Sequence, residues 1–217
     1  MTTSHLTSAV PSTTRLLVLV AVVLLVVPVV SHAGETESEA TRFVQERADQ
    51  VIAIVNREAP DSTAQAQRER DLQRAIREFL SFELLAERTL GSHWEERSAE
   101  ERSLFVGLLR ELIETSYLRR LGGDRVEPGS YTVSYESERV RRSRATVSGR
   151  VTARGETAHV DVRMQRHGDG WLIHDVVTDD VSLEESYAES FDRILRDEGW
   201  EALIQRLRDR IAELRES

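Results

Sequence analysis

Apolar residues recur at helical spacing in the first part of the chain. They predict one helix over residues 43–55 and, after a break at Pro60, a second over residues 72–80. A shorter apolar pattern over residues 82–90 ends at Gly91, a residue that commonly terminates helices. The pattern therefore predicts three helices in the N-terminal part of the chain.

Two pairs of residues have the spacing of a capping box, in which a Ser hydroxyl and a Glu carboxylate each accept a backbone N–H. Ser98 with Glu101 opens an apolar helical pattern that continues to Tyr117. Ser182 with Glu185 opens a second pattern, which Gly199 interrupts before it continues to the end of the chain. The sequence thus predicts helices on both sides of the central region.

The hydrophobic period changes to two at Tyr131, as expected for strands with one buried face. Four alternating segments follow, separated by polar turns at residues 141–143, 154–156 and 167–170. Helices followed by a run of strands are typical of an α+β fold. We predict a curved, four-stranded antiparallel sheet with the N-terminal and C-terminal helices packed on one face and water on the other.

The extreme N-terminus resembles an export signal. An apolar run over residues 16–30 follows Arg15 and precedes Ser31-His32-Ala33, which fits a small-x-Ala cleavage pattern. A membrane anchor is the alternative, but it needs about 20 apolar residues and this run is shorter. We therefore expect a signal peptide over residues 1–33, cleaved after Ala33, and one exported α+β domain over residues 34–217.

Composition removes several classes of function. The formal charge is -9 and all 29 basic residues are arginine, so general nucleic-acid binding is not expected. The absence of cysteine excludes thiolate nucleophiles and cysteine-ligated metals. The histidines lack the spacing of a helical zinc site, and no P-loop, dinucleotide fingerprint or nucleophile elbow is present, so we expect no metal and no cofactor.

The best candidate for acid–base chemistry is His174 beside Asp175, on the last predicted strand. Strand neighbours point to opposite faces, so we expect that the two cannot act as a dyad and that at most one faces the interior. The alternative is a surface histidine next to an aspartate that caps a turn.

Four arginines lie close together in one predicted turn: Arg139, Arg141, Arg142 and Arg144. Arginine forks bind oxyanions with two hydrogen bonds, so this cluster could hold phosphates or an acidic partner. A solvated turn that protects a sheet edge is the plainer interpretation.

The inward positions of the predicted strands are mostly small or medium, among them Ala145, Val147, Gly149, Val151 and Ala158. Small side chains on a curved sheet can leave an apolar cavity for a ligand. They can equally allow helices to pack closely, and composition alone leaves both alternatives open.

Three segments together resemble one family. Leu90-Gly91-Ser92-His93-Trp94 follows Ala86-Glu87-Arg88, the strand Gly170-Trp171-Leu172-Ile173-His174-Asp175-Val176-Val177 comes later, and Val181-Ser182-Leu183 precedes Tyr187 and Phe191. In order and spacing these segments are similar to the MlaC-type periplasmic phospholipid-binding proteins, also called the toluene-tolerance family or ABC-transporter auxiliary component. Where that family usually has Gly before the Val-Ser-Leu triplet, this chain has Asp180.

The resemblance implies a non-enzymatic carrier with an NTF2-like cone-shaped fold. Such a protein ferries phospholipid between an outer-membrane lipoprotein complex and an inner-membrane ABC transporter with a mammalian-cell-entry (MCE) domain subunit, and so maintains outer-membrane lipid asymmetry. From strand alternation and helix faces we expect the lipid to contact Leu108, Leu112, Tyr117, Val133, Tyr135, Val147, Val151, Val160, Val162, Trp171 and Ile173.

Two other functions are also compatible with the sequence. One is an exported NTF2-like enzyme that acts on a hydrophobic substrate, with His174 or Asp175 as the base. The other is an interaction module with a solid core and no ligand. The carrier is favoured because the helix, strand and terminal-helix motifs all agree with it.

Overall fold

The structure is a computed structural model that describes residues 38–118, 131–153 and 155–216. The expected signal peptide and its cleavage site after Ala33 lie outside the described residues. Those ranges contain six α-helices and five strands. Four helices come first, the five strands follow, and two helices end the chain. The predicted α+β class is confirmed.

Most helices begin and end close to the predicted positions, but the second begins at Ser62, ten residues before the predicted start at residue 72, because its first turns carry no large apolar side chain. The first four are α1 (Glu39–Val55), α2 (Ser62–Phe79), α3 (Phe82–Leu90) and α4 (Ala99–Ile113), and the last two are α5 (Leu183–Asp197) and α6 (Trp200–Glu216). A 3-10 turn over Gly91–Trp94 separates α3 from α4, and one π-helical turn over Glu114–Leu118 extends α4.

Side-chain caps explain where two of these helices start. At α4 the Ser98 hydroxyl accepts the Glu101 N–H at 3.2 Å and the Glu101 carboxylate accepts the Ser98 N–H at 2.8 Å, so the predicted capping box is confirmed. At α5 the Ser182 hydroxyl accepts the Glu185 N–H at 3.0 Å. The reciprocal half predicted there is wrong, because the Glu185 carboxylate lies 3.3 Å from Arg163 instead.

The strands form one antiparallel sheet in sequence order. They are β1 (Tyr131–Arg141), β2 (Arg144–Ala153), β3 (Glu156–His167), β4 (Gly170–Thr178) and β5 (Val181–Ser182). The sequence predicted four strands; the fifth arises because a tight turn at Asp179 and Asp180 folds Val181 and Ser182 back onto the end of β4.

The apolar side chains of the described residues form two clusters. One lies between the inner face of the sheet and helices α1 and α2, and the other is built from α3, α4, α5 and α6. Ile76 and Leu80 pack against both clusters, and Arg77 of α2 forms a two-pronged ion pair with Glu114 at 2.6 Å. The helix over the middle of the sheet is therefore α1, whereas the C-terminal helices complete a separate helical core.

Candidate functional site

An apolar cavity lies between α1 and the inner face of the sheet. Its volume is about 10 Å³, which is room for about one water molecule. The strand positions alternate as the sequence predicted, so every second residue of β1, β2 and β3 faces it. The wall carries no charged side chain and consists of Val44, Val133, Tyr135, Val147, Gly149, Val151, Val160 and Val162.

Gly149 lies at a point on this wall where β1 approaches β2 closely. A β-carbon at this position would lie 2.5 Å from the backbone carbonyl oxygen of Ser134 on β1. The approach occurs beside an irregularity in β1, where Glu136 is the extra residue between Tyr135 and Ser137. The absence of a side chain at Gly149 therefore allows β1 to approach β2 closely and leaves part of the cavity empty.

Polar contacts fasten the N-terminal end of α1 to the sheet. The Glu138 carboxylate on β1 accepts the Thr41 N–H at 2.9 Å and the Thr41 hydroxyl at 2.7 Å. Arg166 on β3 forms an ion pair with Glu39 at 2.7 Å. These groups hold α1 against the cavity at its first turn.

The other end of α1 is held through α2. Arg68 donates to the carbonyl oxygens of Val55 and Arg57, at 3.4 and 3.2 Å. Asp71 of α2 contacts the Arg57 guanidinium, and hydrogen bonds from Arg57 and then from Gln67 lower the pKa of Asp71 below its ordinary value. Helix α1 thus rests on α2 along one side and on the sheet along another.

Six of the eleven expected lipid-contacting residues line this cavity: Val133, Tyr135, Val147, Val151, Val160 and Val162. Trp171 and Ile173 belong to the same apolar cluster without lining the cavity. Leu112 is buried in the helical core, and Leu108 packs against that core beside a surface groove between α4 and α6. Tyr117 falls in the turn after α4, and its side chain lies outside the described residues.

Two residues of the wall were absent from the expected set. Val44 belongs to the apolar stripe of the first predicted helix, and Gly149 sits at an inward position of β2. The stripe shows that Val44 is buried but not which element it meets. A glycine in an alternating strand is a known sign of close backbone approach and could have indicated Gly149.

His174 and Asp175 are both buried, so the expectation that at most one faces the interior is wrong. A register shift between β3 and β4 makes His174 an extra residue, because Arg163 pairs with Asp175 while Met164 pairs with Ile173. The bulge breaks the alternation on which that expectation depended.

Both side chains connect β4 to the start of α5 through Glu184. His174 Nδ1 lies 2.9 Å from the Glu184 carboxylate, and Asp175 Oδ1 accepts the Glu184 N–H at 3.0 Å. The other Asp175 oxygen accepts from Ser182 Oγ at 2.8 Å and from Arg163 at 3.0 Å. Asp175 is fully buried and its contacts fix the turn before α5, as in the turn-capping alternative, but the surface histidine of that alternative is wrong, because His174 is buried too.

The arginine cluster is a surface feature. Arg139, Arg141, Arg142 and Arg144 are exposed at and beside the β1–β2 turn, and Val140 between them is 50% exposed. The turn itself consists of Arg142 and Ser143, whereas Arg141, predicted as part of the turn, ends β1.

Among residues 38–118, 131–153 and 155–216, no three histidine or acidic side chains are grouped so that they could hold a metal ion. None of the helices in the same ranges is both long and apolar enough to span a bilayer.

Comparison with known proteins identifies relatives of this fold. A family model described as MlaC protein matches residues 45–209, well over half of the chain. Among solved structures, the chain is similar to the phospholipid-binding protein from Ralstonia solanacearum, solved in complex with a phospholipid, with 22% identity and a TM-score of 0.71. The alignment covers 82% of this chain and 99% of that one, and at this identity it shows a shared fold. No curated protein matches the chain.

Proposed function

The chain belongs to the MlaC family, and from that premise we propose that it binds phospholipid between α1 and the inner face of its sheet and carries it through the periplasm. The observation that carries this proposal is the cavity. Its wall is apolar and lies between one helix and three strands, where acyl chains can be shielded from water. The solved relative of the same fold holds a phospholipid.

A carrier is physically necessary for such a cargo. Each methylene group exposed to water costs about 0.8 kcal/mol, so two long acyl chains oppose transfer through water by on the order of 20 kcal/mol. An apolar cavity removes that barrier, while the head group stays at the surface. The proposed function therefore requires a cavity that fits the acyl chains and excludes water, and it requires no catalytic residue.

Lipid binding must widen the cavity. Ligand pockets for molecules of drug size or larger measure roughly 300–1,000 Å³, whereas this one measures about 10 Å³. Helix α1 is the element that we propose to move, because it packs on α2, β1 and β2 and contributes nothing to the helical core. Displacing α1 would separate Val44 from the valines of the sheet and leave the second core intact.

The proposed contact set follows from this placement. It consists of the six expected residues that line the cavity, together with Val44 and Gly149. Trp171 and Ile173 border the same cluster and come into reach as the cavity widens. Leu108 and Leu112 lie in the helical core, so contact with them would need a lipid that extends beyond the sheet.

The finer features of the transport role are proposals that rest on the family and on the N-terminus. We propose that residues 1–33 direct export and are removed after Ala33, which leaves the domain 34–217 in the periplasm. There the protein would exchange lipid with an outer-membrane lipoprotein complex and with the MCE-domain subunit of an inner-membrane ABC transporter. This traffic would maintain the lipid asymmetry of the outer membrane.

We also propose that the chain is not an enzyme. Asp175 is the strongest candidate base by position, yet both of its oxygens accept hydrogen bonds that join β4 to the start of α5. Neither His174 nor Asp175 lines the cavity. Their contacts support a structural function.

Native mass spectrometry tests the proposal. The protein would be produced from its complete sequence, purified from a bacterial envelope without detergent, and extracted with organic solvent. We expect about one phospholipid per chain. Val151→Trp should fill the cavity and abolish loading, whereas the matched Thr152→Trp, on the other face of the same strand, should load normally. A stable wild-type protein without lipid would overturn the carrier proposal.

A further inference from the structure

The β1–β2 turn concentrates unpaired positive charge on an acidic protein. Within the described residues, the guanidinium groups of Arg139, Arg141, Arg142 and Arg144 make no hydrogen bond or ion pair. Most other arginines in the described ranges form an ion pair with an acidic side chain, such as Arg77 with Glu114 or Arg206 with Glu198. We call residues 139–144 the basic tip. Its charge is available to a partner outside the chain.

One arginine of the basic tip is held in an unfavourable backbone conformation. Arg142 has φ +54°, in the left-handed region where a β-carbon is sterically disfavoured and turns usually place Gly or Asn. Strain that persists in a tight turn is a reason to look for function at that residue. A turn that only protected a sheet edge would gain stability from glycine at this position.

We propose that the basic tip docks the protein on the surface of a bilayer that contains anionic phospholipid. The formal charge of the chain is -9, so its average surface is repelled by such a membrane. The tip is the exception, because four arginines lie within six consecutive residues. Attraction of the tip and repulsion of the remainder would orient the molecule with this hairpin toward the lipid.

The apolar side chain within the tip favours a bilayer over an acidic protein. Val140 is 50% exposed and lies between Arg139 and Arg141. Basic residues around an exposed apolar one match the membrane interface, where charges meet phosphates and the apolar group enters the acyl boundary. The choice of a bilayer also rests on the proposed function, since a lipid carrier must collect its cargo from a lipid source.

The tip is adjacent to the groups that fasten α1. Glu138, which accepts two hydrogen bonds from Thr41, precedes Arg139 directly. Arg166, which pairs with Glu39, has its backbone N–H bonded to the Ser143 carbonyl oxygen at 2.7 Å. Docking through the tip would therefore bring the fastened end of α1 close to the membrane surface.

Vesicle sedimentation tests the proposal with protein made from the complete sequence and purified as the cell accumulates it. Binding would be compared on vesicles of phosphatidylcholine alone and of phosphatidylcholine with phosphatidylglycerol. We expect binding only to the second kind, weakening as salt is raised. A basic residue near an anionic surface contributes about fivefold in affinity. A variant with all four tip arginines changed to Gln should therefore lose a hundredfold or more.

Two variants keep this test sharp. The control variant has the same net charge as the tip variant. It changes four exposed arginines on helices α4, α5 and α6 and should bind within about twofold of wild type; its substitutions are Arg110→Gln, Arg193→Gln, Arg196→Gln and Arg208→Gln. Arg142→Gly should weaken binding about fivefold while raising Tm by about 2–4 °C, because it relieves the left-handed strain. Opposite changes in binding and stability cannot come from misfolding.

The outcomes separate docking from carriage. The docking proposal is wrong if the wild-type protein binds neither kind of vesicle, or if the tip variant binds as tightly as wild type. An acidic protein surface would then be the remaining partner for the tip. Lipid extracted from the same preparations reports on carriage. Protein that retains phospholipid without binding vesicles would contradict docking alone, and protein that binds vesicles but never holds lipid would contradict the proposed function.

Discussion

Val44 of α1 and Gly149 of β2 line the same cavity from two different layers of the fold. Val44 is 2% exposed, so the helix side of the cavity is closed by a side chain. On the sheet side, Gly149 has no side chain and β1 approaches its backbone closely. The free space between the layers therefore depends in part on a valine side chain on the helix and on an absent side chain on the sheet.

Gly149→Ala should destabilise the fold. The added methyl group would lie 2.5 Å from the Ser134 carbonyl oxygen, and a backbone atom cannot move aside without disturbing the β1–β2 pairing. We expect a loss of about 1–3 kcal/mol in the free energy of unfolding, measured by urea denaturation.

Gly107→Ala is the matched control. Gly107 lies inside α4, and an added β-carbon would have no heavy atom within 4 Å. This substitution should stabilise the protein by about 0.5–1 kcal/mol, because alanine is the better helix former. An unaffected Gly149→Ala would contradict the close approach of β1 to Gly149, and a destabilised Gly107→Ala would contradict the open space around Gly107.

Strand alternation predicted most of the cavity wall. Val147, Val151, Val160 and Val162 face one side because a period of two fixes which strand residues share a face. Alternation failed at His174, where the bulge adds a residue to β4. A bulge is a backbone irregularity set by the register of the neighbouring strand, so a single sequence gives little sign of it.

Helical periodicity identified buried faces but not their partners. We expect Leu108 and Leu112 to contact the lipid, and in the structure they pack in the core formed by α3, α4, α5 and α6, away from the cavity. The spacing of apolar residues shows only that one side of a helix is buried. Which element covers that side depends on the tertiary arrangement, and here the final helices return to α4.

Asp180→Gly should stabilise the protein. Asp180 has φ +66°, a left-handed conformation that disfavours residues with a β-carbon and that glycine adopts readily. We expect a gain of about 1 kcal/mol in the free energy of unfolding, measured by thermal or urea denaturation.

Asp169→Gly provides the comparison. Asp169 lies in the β3–β4 turn, where Gly168 already takes the left-handed position at φ +55°. Glycine at Asp169 relieves no strain and adds freedom to the unfolded chain, so we expect a loss of about 0.5–1 kcal/mol. Equal effects of the two substitutions would show that backbone strain at Asp180 is negligible.

Asp175→Asn should destabilise the junction between β4 and α5. Asp175 is fully buried and accepts hydrogen bonds from Ser182, Glu184 and Arg163. Hydrogen bonds to a buried charge contribute about 1.5–3 kcal/mol each, and we expect a net loss of about 3 kcal/mol by urea denaturation. Asp161→Asn, on the outer face of β3, should change stability by less than about 0.5 kcal/mol.

The same variant separates a structural Asp175 from a catalytic one. If Asp175 is structural, lipid retention at a temperature where the variant is folded should match wild type. An unchanged stability of Asp175→Asn combined with loss of an activity on a hydrophobic substrate would instead support the enzyme alternative.

Asp71 should make stability depend on acid pH. Hydrogen bonds from Arg57 and Gln67 lower the pKa of Asp71 in the folded state, so its contribution is fully present above the unfolded pKa of about 3.9. The contribution disappears as pH falls through the lower folded pKa. Wild type should therefore exceed Asp71→Asn in stability at neutral pH, and the difference should shrink in acid, measured by urea denaturation over a pH series.

The partner residue gives the check on Asp71. In an Arg57→Gln background the largest cause of the pKa shift is absent, so Asp71→Asn should lower stability less at neutral pH. An unchanged effect of Asp71→Asn in that background would show that Arg57 is not the group that lowers the pKa.

Thr41→Val should speed the exchange of lipid. The substitution keeps the shape of the side chain and removes the hydroxyl that donates to Glu138 at 2.7 Å, loosening the first turn of α1. A hydrogen bond to a charged group contributes about 1.5–3 kcal/mol, so opening of α1 should become tenfold or more easier. The rate at which the protein transfers a fluorescent phospholipid between vesicles should rise accordingly, provided that opening limits transfer.

Thr146→Val, on the outer face of β2, is the control and should leave the transfer rate unchanged. If both variants transfer lipid at the wild-type rate while the protein still binds lipid, release of the first turn of α1 is not the step that limits lipid exchange.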